Sequence, residues 1–126
     1  MKNKTALHAT AAIIIMLLIT ATTQAKYNGG TGDPCTPYKI SDFNDLMAMR
    51  ADSNDWDECF ILTADIDLDP NLSGRIIFDR AVIAYDPDTD WSFDGIPFTG
   101  SFDGNDHVIS NLRIEQDRGA HVGLFG

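Results

Sequence analysis

From Trp56 onward, the apolar residues of this chain recur at every second position, in short runs separated by Gly, Asn, Asp and Pro. A period of two sends alternate side chains to opposite faces of an extended backbone. The stretch is therefore confined to short strands joined by tight turns. Cys59, Ile61 and Thr63 alternate with Phe60, Leu62 and Ala64, and Ile66 and Leu68 alternate with Asp65, Asp67 and Asp69. Pro70-Asn71 marks a turn, and Ile76–Phe78 and Ala81–Ala84 are further strand candidates. Asp86–Asp94 reads as a polar loop carrying Trp91 and Phe93. Phe98, Gly100 and Phe102 alternate into the turn Asp103-Gly104-Asn105-Asp106; His107–Ile114 resumes a strand, Gln116–Gly119 turns again, and Val122, Leu124 and Phe125 begin one more. This spacing predicts a mainly β domain.

One segment breaks the pattern. Phe43, Leu46, Met47 and Arg50 sit at helical spacing, with Ser41 as the expected N-cap and Asp42 and Asp45 in the first turn. The spacing predicts a short helix over 41–50 that caps the strands. Before it, Lys26–Pro37 is rich in Gly, Pro and small polar residues and reads as a loop or linker.

The chain opens with Lys2 and Lys4, an apolar run from Ala11 to Ile19, and Thr23-Gln24-Ala25. That order of charge, apolar run and small residues is a secretory signal over residues 1–25. The run is shorter than the roughly 20 residues that cross a bilayer, so an uncleaved anchor is the weaker reading and no integral membrane span is expected after cleavage. Removing 25 of the 126 residues leaves 101, enough for one small domain. It also removes two lysines, leaving seven basic residues against 19 acidic and a net charge of −12. Such a surface repels nucleic-acid phosphates and anionic lipid. In an oxidising compartment the default for Cys35 and Cys59 is a disulfide, with two independent thiols as the rival.

Candidate chemistry is sparse. Asp65, Asp67 and Asp69 share one side of a strand and could hold Ca²⁺ through oxygen, or simply form a solvated face. Asp86, Asp88, Asp90 and Asp94 start like a calcium loop, but Trp91 stands where such a loop needs Gly and Pro97 where it needs Glu, so an EF-hand fails. His107 and His121 have no metal-ligand spacing with each other or with the cysteines. Ser101 follows Gly100, but the order Gly-Ser-Phe-Asp-Gly is not the Gly-x-Ser-x-Gly of a nucleophile elbow. Trp56, Trp91, Phe93 and Phe98 suit either a sugar-stacking surface or, more readily, a core and cap.

The run Pro97–Asn105, with Phe102-Asp103-Gly104-Asn105 at its end, leads through His107–Leu112 to Gly123-Leu124-Phe125-Gly126. This resembles the GLUG-motif repeat family of exported bacterial proteins. The block Pro37–Ile40, Phe43, Leu46 and Phe60–Leu68 is similar to the module that precedes such repeats. The resemblance covers roughly Pro37 to Gly126. It implies the start of a right-handed parallel β-helix, a solenoid with an amino-terminal capping helix, and no catalytic residues. Asp106 departs from the family, which usually has Gly there, and both cysteines look like local additions that pair with each other. Residues 38–126 then form a capping module and a first repeat. A solenoid needs about three repeats to bury its apolar faces, so the expectation is a truncated chain or one that borrows a partner's edge. The expected function is a non-enzymatic, secreted or cell-surface structural or adhesion module that meets extracellular polysaccharide or protein. The alternatives are the amino-terminal part of a polysaccharide-processing β-helix enzyme and a calcium-dependent carbohydrate-binding module.

Overall fold

A computed structural model describes residues 25–88, 90–116 and 121–126; the expected signal sequence falls, but for Ala25, outside them. The described chain is mostly short strands and turns with one short helix. In order, it contains β1 (Tyr38–Ile40), α1 (Phe43–Ala51), a 3₁₀ turn (Ser53–Asp55), β2 (Cys59–Leu62), β3 (Ile66–Asp67), β4 (Ser101–Asp103) and β5 (Ile109–Ser110). Among the described residues, no helix is long and apolar enough to cross a membrane.

All strand pairs are parallel. β2 lies between β1 and β4, with Phe60 in register with Tyr38 on one side and Phe102 on the other. β3 pairs with β5, Ile66 opposite Ile109. Two isolated parallel bridges continue the match, Phe78 to Ile114 and Ile83 to Phe125. One rung, residues 59–83, is thus laid against a second, the described residues between 101 and 125, at four successive places. Ile66 N donates to Val108 O at 2.9 Å, Phe78 N to Arg113 O at 3.0 Å and Ile83 N to Leu124 O at 2.9 Å. The expected strands at Ile76–Phe78, Ala81–Ala84 and 122–125 reduce to these bridges. Ile76 and Ile77 are exposed, and Ala84 has a φ of 52°, which ends extended pairing.

The core lies between the rungs and under α1. Phe60, Leu62, Ile66, Leu68, Phe78 and Ile83 are buried. β2 shows the alternation directly, with Phe60 and Leu62 inward and Cys59 and Ile61 partly exposed. Gly100 lets the second rung close on the first: a Cβ there would lie 2.0 Å from the Glu58 carbonyl oxygen.

α1 begins at Phe43, two residues inside the expected range, and its cap moves by one. Asp42, not Ser41, is the N-cap and accepts from Asp45 N at 2.9 Å. Ser41 N and Oγ, from the residue before the cap, donate to Asp45 Oδ2 at 2.9 and 2.7 Å, a variation on the capping box in which the returning bond falls one residue earlier. The inward residues are Phe43, Leu46 and Met49; Met47 is only half-buried. Arg50 is not a solvent residue. Its Nη1 donates to Ala81 O at 2.6 Å and Val82 O at 2.7 Å, and its guanidinium lies over the rings of Phe78 and Tyr85.

The expected linker at 26–37 is packed structure. Tyr27 is buried against Tyr38 and Phe60, with ring centroids 4.7 and 5.6 Å away, and its hydroxyl donates to Asp55. Asn28 N donates to Lys39 O and Lys39 N to Gly29 O, so this segment covers the free edge of β1. Gly30, at φ 90°, makes the cover possible, since a Cβ would sit 2.0 Å from Pro37 O. Composition signals a turn-rich segment, and buried Tyr27 is what ties it down.

Carboxylates stitch the rungs together. Asp65 Oδ1 accepts from Val108 N at 3.0 Å and contacts His107 Nδ1 at 3.2 Å, and Asp67 Oδ1 accepts from Asn111 Nδ2 at 2.8 Å. Asn105 Nδ2 returns a bond to Leu62 O at 3.1 Å. The Val108 amide holds the Asp65 carboxyl below the ordinary 3.8, and Asn111 does the same for Asp67. Because these folded-state values lie below the unfolded ones, the stabilisation is fully present above the ordinary carboxylate range. It is lost as pH falls through the lowered values. Urea midpoints measured from pH 7 down to pH 2 should hold level and then drop below about pH 4, and Asp65→Asn with Asp67→Asn should flatten part of that drop. A double variant with an unchanged acid limb would contradict the stitching role.

Candidate functional site

The same local device recurs along the chain: an Asp side chain accepts from the backbone amide two residues ahead. Asp67 accepts from Asp69 N and Asp69 from Asn71 N, both at 2.9 Å. Asp88 accepts from Asp90 N at 3.0 Å, Asp90 from Ser92 N at 2.6 Å, and Asp103 from Asn105 N at 2.8 Å. These are Asx turns. They give the Asp-x-Asp spacing a backbone role that accounts for much of the acidic pattern.

Asp65, Asp67 and Asp69 consequently do not gather into a cation site. Two are committed to the neighbouring rung and the third to the turn at Asn71. In the later loop, Asp88 and Asp90 are joined by Asp94, and one carboxylate oxygen from each lies within 4.8 Å of the others. Asp86 stays outside this group; it is buried, with Asp88 N 3.5 Å from its Oδ1. Three exposed carboxylates converge at the mouth of the loop, an arrangement able to hold a hard cation through oxygen.

Asp94 also faces a hollow of about 260 Å³ walled by Trp56, Tyr85, Pro87 and Ile96. A second hollow of about 330 Å³, bordered by Asn54, Asp57, Pro97 and Thr99, adjoins it across Trp56 and Ile96. The wall is anchored. Trp56 is buried with Nε1 donating to Met49 O at 2.8 Å, and Thr99 N and Gly100 N both donate to Trp56 O. Of the four aromatics singled out in the sequence, Trp56 and Phe98 belong to the core assembly, Phe93 packs against His121, and Trp91 is 82% exposed beside the acidic group. Tyr85, which sequence spacing does not mark, completes the wall, held edge-on to Trp56 at 6.2 Å. A third hollow of about 400 Å³ lies on the outer side of β1 and β2, lined by Cys35, Pro37, Lys39, Ile61 and Thr63.

The expected Cys35–Cys59 disulfide is absent from the structure, and both cysteines are free. Cys35 sits in a turn closed by Thr31 N and Gly32 N on Thr36 O, which carries its thiol over the outer hollow beside Lys39 and Ile61. Cys59 begins β2 and is partly covered. In native protein Cys35 should react with a thiol reagent at least tenfold faster than Cys59, and denatured, unreduced protein should yield two thiols per chain. A titration that finds none would restore the bridge.

The GLUG-like motif residues play distinct parts. Phe102 stacks in register with Phe60, and Phe125 lies 5.5 Å from Phe102 and 5.0 Å from Phe98. Asn105 and Asp106 have φ of 47° and 60°, so position 106 does adopt the left-handed conformation that favours glycine. A Cβ on Gly104 would make only an ordinary contact, 3.9 Å from His107 O, whereas one on Gly126 would meet Ala84 O at 2.3 Å. Gly123 O accepts from Val82 N and Leu124 O from Ile83 N. Among the described residues, neither His107 nor His121 belongs to a group of three side chains placed to share a metal ion.

Over 97 residues, 77% of its length, the chain is 36% identical to halomucin of Haloquadratum walsbyi. That stretch spans 1% of halomucin. No protein-family model matches the chain, and no solved structure matches it.

Proposed function

We propose that this chain is a non-enzymatic structural or adhesion module of an exported protein, built as the capped beginning of a right-handed parallel β-helix of GLUG type. The observation that carries this reading is the in-register stacking of residues 59–83 on 101–125 at four places, together with the covered edge of β1. Parallel rungs tied by Asx turns and side-chain amides are what a solenoid requires. The carboxylates with the most specific contacts serve this stitching, which favours a structural over a hydrolytic role. Export is supported by the leader pattern in residues 1–25 and by the likeness to a protein bearing the name of a mucin. The net charge of −12 expected after cleavage suits a solvated extracellular surface. Expression with the leader should deliver a protein beginning at Lys26 outside the cytoplasm, and deletion of residues 2–25 should retain it inside. Unprocessed chain held in the cytoplasm would sink the reading.

A second reading, cation-assisted glycan binding, is favoured by one arrangement. Asp94 belongs both to the Asp88–Asp90–Asp94 group and to the hollow walled by Trp56 and Tyr85. Calcium held there would offer open coordination positions to sugar hydroxyls entering the hollow. At matched ionic strength, millimolar Ca²⁺ should raise the melting midpoint by a few degrees, a chelator should reverse it, and Asp94→Asn should abolish it. An equal rise with Mg²⁺ or Na⁺ would mark simple charge screening and remove this reading.

A further inference from the structure

We infer that Asn71 is a glycosylation site: the triplet Asn71-Leu72-Ser73, on the loop that joins Leu68 to Phe78, accepts a sugar chain from a lipid-phosphate carrier as the protein is exported. This rests on the exported-module reading above and adds to it a covalent modification at one residue.

Asn followed by any residue but Pro and then Ser or Thr is the acceptor pattern, and it has meaning on an accessible loop of an exported chain. The other triplet of this form, Asn3-Lys4-Thr5, belongs to the expected leader. Asn71-Leu72-Ser73 meets the structural condition. Residues 71–74 are all exposed. Leu68 and Phe78, on either side, are each 1% exposed, so the loop projects from two anchors in the core. It is built from two consecutive turns. Leu72 N donates to Asp69 O at 3.0 Å, with Pro70 inside the first turn. Arg75 N donates to Leu72 O at 3.2 Å, with Gly74 at φ 76° inside the second. A Cβ on Gly74 would meet nothing within 4 Å, so the tip of the loop stands clear of the rest of the chain. Arg75 fixes its far side, with Nε donating to Asp67 O at 2.8 Å and the guanidinium over the Phe43 ring.

The acceptor atom is free for the chemistry. Asn71 Nδ2 donates to Asp69 Oδ1 at 2.8 Å, and an amide nitrogen carries two hydrogens. Transfer uses the other one. Nδ2 forms a bond to the anomeric carbon of the sugar, and the bond from that carbon to the carrier's phosphate oxygen breaks. One amide proton passes to the transferase, and the lipid phosphate leaves. The remaining N–H keeps its bond to Asp69, so the product retains the turn. An independent observation points to a cover at this place. Leu72, Ile76 and Ile77 are 43%, 46% and 44% exposed, all within six residues of Asn71. Three uncovered aliphatic side chains on one loop are an aggregation hazard for a protein outside the cell, and a hydrated sugar chain rooted at Asn71 shields them.

The test uses protein recovered from outside the cells that make it. Trypsin should release residues 51–75 as one peptide, which holds this triplet and no other. The expected result is a peptide heavier by a series of sugar masses, with fragmentation placing the sugar on Asn71. Made in the same cells, Asn71→Gln and Ser73→Ala should each abolish the modification, while Ser73→Thr, which keeps the hydroxyl, should retain it. The two bare variants should bind more hydrophobic dye than the parent. Their melting midpoints should lie within about 4 °C of each other, as exposed substitutions do, so loss of sugar is not loss of fold. Exported, leader-cleaved protein with an unmodified peptide 51–75 overturns the inference and leaves the exported-module reading standing. A sugar that persists in Asn71→Gln also overturns it. Unprocessed chain held in the cytoplasm defeats the exported-module reading and this inference together.

Discussion

Phe60→Ala should destabilise the domain by about 3–5 kcal/mol, the cost of truncating a fully buried aromatic side chain and leaving its cavity. Phe60 is 1% exposed and lies at the centre of the molecule. Tyr38 and Phe102 flank it in register, and the rings of Tyr27 and Phe98 approach to 5.6 and 6.2 Å. Its removal opens a void that touches the cover segment, both edges of β2 and the second rung at once. For a domain of this size each kcal/mol shifts the melting midpoint by about 4–8 °C, so a fall of roughly 12–40 °C is expected, against a total stability of about 5–15 kcal/mol. Phe60→Leu retains most of the apolar volume and should cost about 1–2 kcal/mol. Urea unfolding followed through Trp56 fluorescence separates the two. A loss below about 1 kcal/mol for the alanine variant would mean that the rungs do not share this core.

The position of Phe60 illustrates what a sequence of this kind discloses. Alternation places Phe60, Leu62, Ile66 and Leu68 on one face without further information, because side-chain period follows directly from backbone geometry. It does not say which strand lies beside which. Parallel pairing is decided by chain path over some 40 residues between Phe60 and Phe102, and local propensity carries no record of that path. The resemblance to GLUG-type repeats brings the idea of stacked rungs, and the parallel register is compatible with it. The aspartates were harder to read. A D-x-D-x-D spacing suits a cation site and a chain of Asx turns equally well, and only the position of the amide two residues ahead distinguishes them. Asp65 and Asp67 turned out to bind the next rung, while Asp94, outside the regular spacing, joined Asp88 and Asp90. Tyr27 was hidden for a different reason. A single aromatic in a Gly- and Pro-rich stretch has no periodicity to announce it, and its burial depends on Phe60 and Tyr38 far along the chain.

Arg50 offers the sharpest test of how α1 is held. At helical spacing it reads as a polar residue near the end of an amphipathic helix. In the folded chain its Nη1 lies 2.6 and 2.7 Å from the carbonyl oxygens of Ala81 and Val82, residues that are themselves fully buried. Burial pushes the guanidinium below its ordinary value, with Asp79 opposing that shift, yet an arginine remains charged at any working pH. Arg50→Met keeps much of the apolar stem over Phe78 and Tyr85 but leaves two buried carbonyls without a donor, each worth about 1–3 kcal/mol when unsatisfied. The expected loss is about 3–4 kcal/mol. Arg50→Lys should recover only part of it, since one ammonium on a flexible stem replaces a planar fork stacked on two rings. Hydrogen exchange locates the damage: amides of α1 and of residues 81–84 should open together, while those of β2 and β4 stay protected to the global limit. If Arg50→Lys matches the parent, the site needs only charge; if Arg50→Met does, the two carbonyls find water and α1 is held by Phe43, Leu46 and Met49 alone.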